Sequence, residues 1–474
     1  MHTHLPRLPR NAAGIALAVL ALAACSKPAP QIDAAPPPSA PALDAATTHP
    51  AWSKQATIYE VNIRQYTPEG TLAAFTREIP RLKGLGVDIL WIMPVQPIGR
   101  KNRKGTLGSY YSIADYRAIN PEFGTMADFR ALVKSAHDQG LKVILDWVPN
   151  HTAFDHPWTT AHPDFYNHNA DGSISVARNN DGTLTDWTDV ADLNYENPAL
   201  RQAMIGELRW WVDSAGIDGF RQDVAWGVPH AFWKEVHDTF RPSRPDLFFL
   251  AEAEDAALHA SFDATYAWEL HHLLNAIAQG KQGFGALTAY FERQAKLYNP
   301  GAFRMSFTSD HDENSWQGTE FERMGANHQA AFILASTVQG SFPLLYTGQE
   351  VSLKKRLRFF DKDTVPMTGA SLADFYTAVF ALKHTQEALA NGAWGASQVA
   401  LANTAGERVF AFTRTKGANT VLVAVNFSDA PIKLAYSGLA QPGAFTDWFS
   451  KAAVTLAAAG QLDVPAHGWR VLTR

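Results

Sequence analysis

The chain has 474 residues, a net charge of −5 at pH 7 and the apolar and charged fractions of a folded soluble protein. This length allows a large core or two to three domains, and the small negative charge gives no reason to expect nucleic acid as a partner. A single cysteine, Cys25, excludes an intrachain disulfide.

The N-terminal segment has the order of an export signal. Basic residues precede an apolar run at 12–24, which ends in small residues before Cys25 and is too short to span a bilayer comfortably. Because the segment resembles a bacterial lipoprotein signal, we expect residues 1–24 to be removed and Cys25 to be lipidated. The protein would then be exported and membrane-anchored, in the periplasm or at the cell surface. The alternative is an ordinary signal peptide with an incidental cysteine.

The Pro- and Ala-rich residues 25–50 predict a semi-extended tether, with folded structure beginning near Trp52. Beyond it, strand and helix signals alternate. The strand-like runs are 58–63, 87–93, 143–148, 219–223, 247–252, 263–266, 304–309 and 342–347. Strands that alternate with helices predict a parallel sheet, and eight of them predict a closed (β/α)8 TIM barrel, an α/β fold, over residues 51–385.

Helix signals fall between these runs. Residues 72–85 are amphipathic and end at Gly86, and Thr125 is placed to cap a helix that stops near Gly140. Pro198 occupies the first turn of a further predicted helix.

Two regions depart from the alternation. The polar residues 152–197 are too many for an ordinary loop and predict a short inserted domain after the third barrel strand. Residues 386–474 predict a C-terminal antiparallel β-sandwich. Its predicted strands are 409–413, 420–426, 432–434, 444–448 and 469–472.

Three strand-like runs end in acids, at Asp223, Glu252 and the pair His311-Asp312. A parallel barrel collects the C-terminal ends of its strands at one face, and paired carboxylates are the usual chemistry of glycosidic bond cleavage. Each acid also has a structural interpretation. Asp223 could form a structural ion pair with Arg221, and Asp312 could cap a helical turn.

The residues next to these acids suggest separate tasks. Arg221 and Asp223 share one face of a strand, so the guanidinium should lower the pKa of Asp223 and keep it ionised, as a nucleophile requires. Glu252 ends an apolar, aromatic run, where a carboxyl can stay protonated as a general acid. Asp146 could tie strand ends together. His151 could face the pocket or be structural.

The order of these segments resembles the α-amylase family of retaining glycosidases, glycoside hydrolase family 13, over roughly residues 52–474. The matching segments are 86–94, 111–116, 146–151, 219–223, 251–252, 311–312 and 340–350, and 189–194 is similar to the family's marker at the end of the inserted domain.

The resemblance implies that Asp223 is the nucleophile, Glu252 the general acid/base and Asp312 the carboxylate that stabilises the transition state. The residues that it implies for sugar binding are Tyr111, His151, Arg221 and His311. It further implies cleavage of α-glucosidic linkages, mainly α-1,4, in starch-derived glucans or maltooligosaccharides by double displacement. The two reacting carboxyl groups would then lie about 5–5.5 Å apart.

Other functions remain open. A transglucosylase of the same fold would differ in how well its pocket excludes water. A non-catalytic glucan-binding lipoprotein would lack one or more of the acids, and an unrelated metal-dependent barrel hydrolase would need clustered ligands at strand ends.

The chain departs from the family pattern in places. After Asp223 the usual Lys-His pair is replaced by a stretch with Trp226, which could be a stacking face or part of the core. Asn150 matches a calcium-ligand position, but its usual partner is absent, so the usual calcium site looks incomplete and no cofactor is expected to be required. Asp310 stands where many relatives have Asn.

Overall fold

The computed structural model describes residues 49–179 and 181–474. The predicted signal peptide, Cys25 and residues 26–48 of the predicted tether lie outside these ranges. His49, three residues before the predicted start at Trp52, is already in contact with the barrel. Its Nε2 donates to the carbonyl of Gly301 at 2.8 Å. None of the helices in the described ranges has the length and apolar character needed to cross a membrane.

The predicted barrel is confirmed. Its strands and those of the insertion are β1 Ile58–Val61, β2 Ile89–Ile92, β3 Lys142–Trp147, β4 His151–Ala153, β5 Val190–Asp192, β6 Gly219–Gln222, β7 Phe248–Ala251, β8 Ala264–Tyr266, β9 Phe303–Ser306 and β10 Ser341–Tyr346. All but β4 and β5 join in one closed parallel barrel in the order β1-β10-β9-β8-β7-β6-β3-β2. Each of the eight predicted runs overlaps one barrel strand, because such strands are apolar on both faces.

The helices of the described ranges are α1 Ile63–Tyr66, α2 Leu72–Thr76, α3 Ile79–Leu85, α4 Met126–Asp138, α5 Trp158–Ala161, α6 Pro198–Ala215, α7 His230–Phe240, α8 Trp268–Ala278, α9 Gly285–Leu297, α10 Glu320–Met324, α11 His328–Thr337 and α12 Ala373–Thr385. Thr125 forms a capping box with Asp128 at the start of α4, as its position predicts.

The single helix predicted over residues 72–85 is wrong, because the structure divides it into α2 and α3. Pro80 lies in the first turn of α3. It has no N–H to donate and restricts the residue before it, so a helix starts there more readily than it continues through. The predicted end is correct, since Gly86 closes α3 in a left-handed conformation at φ 95°.

The insertion after β3 is built on a two-stranded sheet of β4 and β5. His151 pairs with Asp192 and Ala153 with Val190 in antiparallel register. Further bridges, such as Val176 to Ala191, extend this pairing into the intervening chain. The polar composition therefore reflects a small sheet with little core of its own.

The C-terminal module is the predicted antiparallel structure. Its strands are β11 Gln398–Ala400, β12 Ala402–Asn403, β13 Val409–Lys416, β14 Asn419–Asn426, β15 Ile432–Ser437, β16 Gly443–Asp447, β17 Ala453–Leu456, β18 Gly460–Val464 and β19 Gly468–Thr473. They form one sheet in the order β11-β13-β14-β19-β16-β17 and another in the order β12-β15-β18. Four of these strands, β11, β12, β17 and β18, were not predicted.

Alternation along β14 explains how this module packs. Leu422 and Ala424 belong to the core between the two sheets, whereas Val421, Val423 and Val425 belong to the large core of the barrel and its helices. Successive side chains on a strand point to opposite faces, so the six-stranded sheet buries one face in the sandwich and the other against the barrel.

Register between strands sets the active-site end of the barrel. Asp146 in β3 is level with Arg221 in β6, and Gln222 at the end of β6 is level with Ala251 at the end of β7. The residues that follow, Asp223 and Glu252, therefore leave adjacent parallel strands side by side.

Gly219 allows β6 and β7 to approach each other closely in this register. It begins β6 at φ 153°, and a Cβ there would lie 1.9 Å from the carbonyl oxygen of Phe248 in β7. We expect Gly219→Ala to lower the free energy of unfolding by about 1–3 kcal/mol through steric overlap, and to reduce activity because β6 carries Arg221 and Asp223. Urea unfolding followed by circular dichroism measures this change.

Gly206→Ala is the matched control. Gly206 lies within α6, and a Cβ there would meet nothing within 4 Å. The same substitution should leave stability unchanged or raise it by up to about 1 kcal/mol. Equal stability of the two variants would contradict the proposed role of Gly219.

Candidate active site

One cavity of about 550 Å³ lies beyond the C-terminal ends of the barrel strands. It collects all but one of the residues that the sequence nominated for catalysis and sugar binding. Those that line it are Asp223, Glu252, Asp312, Tyr111, His151 and His311. Residues far apart in the chain therefore converge on one hollow, as the strand-end pattern predicts.

Arg221 lies beneath this cavity instead of lining it. Its side chain is 1% exposed, and Nη1 donates to Asp146 Oδ1 at 2.9 Å and to Asp223 Oδ1 at 2.8 Å. Nη2 lies 3.0 Å from Glu252 Oε1, and Nε donates to the hydroxyl of Tyr266 at 3.1 Å. One buried guanidinium thus binds three carboxylates, and any effect of Arg221 on a sugar must pass through them.

The predicted lowering of the pKa of Asp223 is wrong in net direction. Burial of the carboxyl and the neighbouring Glu252 carboxylate raise the pKa of Asp223 well above 3.8, and Arg221 only partly opposes them. Asp223 therefore retains its proton more readily than an isolated aspartic acid would.

Glu252 is oriented by the chain that follows β6. The backbone N–H of Val224 donates to Glu252 Oε2 at 2.7 Å. Val224 has φ 46° and ψ 40°, a left-handed conformation that is unfavourable for a β-branched residue. The strained turn after Asp223 thus directs an N–H at the second acid. Glu254, two residues further on, lies outside the cavity and pairs with Arg304.

Asp312 is held differently from the other two acids. Its side chain is 37% exposed, and its oxygens lie 3.4 Å from His311 Nε2 and 3.1 Å from the indole Nε1 of Trp316. The alternative of a helix cap is not supported for Asp312, which makes no side-chain cap bond to the turn that follows. Asp310 accepts from the backbone N–H of Glu313 at 2.7 Å instead.

His311 is fixed through both ring nitrogens. Nδ1 contacts Glu60 Oε1 at 2.5 Å, and Nε2 contacts the hydroxyl of Tyr111 at 2.8 Å. Because that hydroxyl donates to Asp146 Oδ2 at 3.0 Å, it accepts from His311. Burial lowers the pKa of His311, but the Asp312 and Glu60 carboxylates outweigh it and raise that pKa well above 6.5. These two carboxylates therefore favour the cationic form of His311.

Glu60 was missed by the sequence analysis. It lies in β1 and is completely buried. The only available signal was a charged residue inside an apolar strand, which is expensive to bury without a partner and so implies one.

The remaining candidates have distinct surroundings. Asp146 accepts from Trp91, Tyr111 and Arg221, which supports the structural interpretation that it ties strand ends together. Burial lowers the pKa of His151 to about 4, so this residue meets the cavity as a neutral imidazole. Trp226 is 36% exposed and lines the cavity, which excludes the core alternative.

The incomplete calcium site around Asn150 stays a prediction. The amide nitrogen of Asn150 donates to Nδ1 of His151 at 3.1 Å. In residues 49–179 and 181–474, no group of three or more His, Cys, Asp or Glu side chains is arranged to hold a metal ion.

Two family profiles match this chain, one in the barrel region and one in the C-terminal module. Residues 44–175 and 183–370 match the family profile of the α-amylase catalytic domain, and residues 400–471 match that of the maltogenic amylase C-terminal domain. The matches thus cover both the barrel and the sandwich.

The individual relatives and solved structures have low sequence identity to this chain. The α-amylase MalA of Haloarcula japonica is 27% identical over 81% of this chain, which spans 57% of that relative's length. An α-1,4-glucan:maltose-1-phosphate maltosyltransferase of Streptomyces coelicolor is 25% identical over 81% of this chain, which spans 59% of its length. The crystal structure of the maltogenic α-amylase AmyB from Thermotoga neapolitana superposes with a TM-score of 0.80 at 26% identity, over 89% of this chain and 99% of that one.

The contact between Glu60 and His311 predicts a pH dependence. Glu60→Gln keeps an acceptor for Nδ1 but removes a charge that raises the pKa of His311, so this pKa should fall. His311 is cationic below its pKa. The contacts that stabilise this cation are lost as the pH rises through that pKa. The titration of the His311 ring, followed by NMR of selectively labelled histidine, should therefore move to lower pH.

Glu269→Gln is the control, because it removes a carboxylate that pairs with Arg293 on the surface. Its His311 titration should match that of the wild type. An unmoved His311 titration in Glu60→Gln would contradict the role assigned to the Glu60–His311 contact.

Proposed function

Because this chain belongs to the α-amylase family, we propose that it is a retaining glycoside hydrolase acting on α-glucosidic linkages, mainly α-1,4, in starch-derived glucans or maltooligosaccharides. The observation that carries the proposal is the pair of carboxylates, Asp223 and Glu252, on one buried guanidinium at the floor of a cavity that Asp312 also lines.

The first half of the proposed reaction needs one proton and one nucleophile. A glucosyl unit in the cavity meets Asp223, which attacks the anomeric carbon while Glu252 donates its proton to the glycosidic oxygen. Burial and the neighbouring Glu252 carboxylate raise the pKa of Asp223, which opposes its ionisation. In the proposed complex Glu252 carries the proton, and Arg221 stabilises the ionised Asp223 through its 2.8 Å hydrogen bond.

The second half reverses these roles. Glu252, now ionised, accepts a proton from a water molecule that attacks the glycosyl–Asp223 ester, and the sugar leaves with its α configuration retained. In both halves the ring oxygen carries positive charge in the transition state. Asp312 is the exposed carboxylate of the three and is assigned to stabilise that charge.

A transglucosylase of the same fold is the second candidate. The similarity to a maltosyltransferase over 81% of this chain supports this second candidate. Hydrolysis and transfer proceed through the same covalent intermediate. A non-catalytic glucan-binding protein is disfavoured, since Asp223, Glu252 and Asp312 are all present at one cavity.

We also propose that the mature protein is a lipoprotein anchored through Cys25 and exported to the periplasm or cell surface. The support is the sequence alone: basic residues, a short apolar run and small residues immediately before the cysteine.

The proposed reaction predicts the effect of Asp223→Asn. The amide cannot form the covalent intermediate, so hydrolysis of maltotriose should fall by about a thousandfold or more. The fold should persist with lowered stability, because the amide oxygen still accepts from Arg221, which also keeps its contacts with Asp146 and Glu252. Product chromatography and thermal unfolding measure both effects, and Asp213→Asn on the exposed face of α6 is the control.

The same chromatogram separates the two candidate functions. Wild-type protein that hydrolyses maltotriose yields glucose and maltose, whereas products longer than the substrate indicate transfer. Hydrolysis by Asp223→Asn at close to the wild-type rate would contradict the assignment of the nucleophile.

Export predicts a specific chemical form of the N-terminus. In a bacterial host with lipoprotein processing, the protein should be recovered with the membrane fraction and carry diacylglycerol on Cys25 as its first residue. Cys25→Ser should remove the modification and the membrane association. Intact-mass and N-terminal peptide analysis that finds an unmodified Cys25, or a mature chain beginning elsewhere, would contradict lipidation.

A further inference from the structure

Asp312 is the least enclosed of the three acids at the cavity. Its side chain is 37% exposed, compared with 8% for Asp223 and 13% for Glu252. Arg221 fixes the other two acids from below, at 2.8 and 3.0 Å. Burial and the guanidinium therefore do not explain how Asp312 keeps one orientation.

Among residues 49–179 and 181–474, the side chains of His311 and Trp316 contact the Asp312 carboxylate. His311 Nε2 lies 3.4 Å from Oδ2, but the same nitrogen lies only 2.8 Å from the hydroxyl of Tyr111, which is its better acceptor. The indole Nε1–H of Trp316 donates to Oδ1 at 3.1 Å. Trp316 is therefore the donor whose hydrogen bond is directed at Asp312 alone.

Local backbone geometry brings the indole to the acid. Asp312 immediately precedes a π-helical turn, Glu313–Gln317, closed by a hydrogen bond from the N–H of Gly318 to the carbonyl of Glu313 at 2.9 Å. Residues four apart on a helical turn lie on the same side, which places Trp316 next to Asp312. Single π-turns of this kind occur frequently at functional sites.

The turn is anchored independently of Trp316. Glu313 pairs with His271 at 2.9 Å, and Asn314 Oδ1 accepts from the backbone N–H of Leu357 at 2.8 Å. The Asn314 amide also donates to the carbonyl of Lys355 at 3.1 Å. Removing the indole N–H should therefore leave the backbone of the turn in place.

The Trp316 ring is held on one side and open on the other. It contacts Phe359 and Phe360 at centroid distances of 5.2 and 5.9 Å, lines the cavity and is 51% exposed. An exposed tryptophan that makes a hydrogen bond to an acid at the reaction centre is not explained by core packing.

We propose that Trp316 is a positioning residue that holds the Asp312 carboxylate, through its indole N–H, in the orientation in which it stabilises the transition state. This proposal rests on the proposed function, in which Asp312 supplies that stabilisation. Trp316 acts through Asp312, so its contribution should be felt in the transition state and absent when Asp312 is absent.

The test compares Trp316→Phe with the wild type on an aryl maltotrioside. Phenylalanine keeps an aromatic ring against Phe359 and removes the donor. A hydrogen bond to a charged group is strong enough that kcat should fall about tenfold, with little change in KM. Trp316→Leu removes the donor in a second way and should lower kcat by a similar factor. Thermal unfolding verifies that both variants are folded.

The decisive comparison uses Asp312→Ala. If the indole acts through the carboxylate, adding Trp316→Phe to Asp312→Ala should cause no further loss of kcat. Trp210→Phe, at a half-buried tryptophan on α6 that does not line the cavity, is the matched control and should leave kcat unchanged.

The outcomes are distinguishable. Folded Trp316→Phe and Trp316→Leu proteins with wild-type kcat would overturn the positioning role, as would an equal loss of kcat in the presence and absence of the Asp312 carboxylate. A wild-type protein without activity on the aryl maltotrioside would contradict the proposed function itself.

Discussion

The structure depends on one buried cation. The Arg221 guanidinium binds carboxylates that come from β3 and from the residues following β6 and β7, and its side chain is 1% exposed. Breaking such a buried ion group by removing one member typically costs about 3–5 kcal/mol, because the others are left uncompensated. The parallel register of these strands, in which Asp146 is level with Arg221, is what permits the arrangement. The same contacts therefore hold these strand ends together and position the acids of the candidate active site.

The two halves of the site are held by different physical means. Asp223 and Glu252 are buried on Arg221, and a strained Val224 directs its N–H at the second of them. Asp312 is more exposed, and its neighbours are His311 and an indole donor. Burial lowers the pKa of His311, but the Asp312 and Glu60 carboxylates outweigh it and raise that pKa. A rigid pair of acids thus faces a third acid whose orientation depends on hydrogen bonds at the cavity wall.

Much of this could be predicted from the sequence, for identifiable reasons. Barrel strands are apolar on both faces, so their runs stand out, and acids at the ends of such runs must converge at one face of the barrel. The direction of the pKa shift of Asp223 could not be predicted, because it depends on how much burial and Glu252 outweigh Arg221. Glu60 and Trp316 were missed because their importance comes from contacts across the chain, to His311 and within a π-turn. The short strands β11, β12, β17 and β18 escaped notice because two to five residues carry little alternation.

The most direct measurement of the central claim is the identification of the covalently modified residue. The protein would be treated with a fluorinated α-glucosyl or maltosyl fluoride that forms the glycosyl ester faster than water removes it, then digested and sequenced by mass spectrometry. If Asp223 is the nucleophile, a single sugar ester is expected on the peptide that contains Asp223, and none on peptides that contain Glu252 or Asp312. An ester on either of those acids, or turnover of the reagent to a product of inverted configuration with no ester at all, would contradict this assignment.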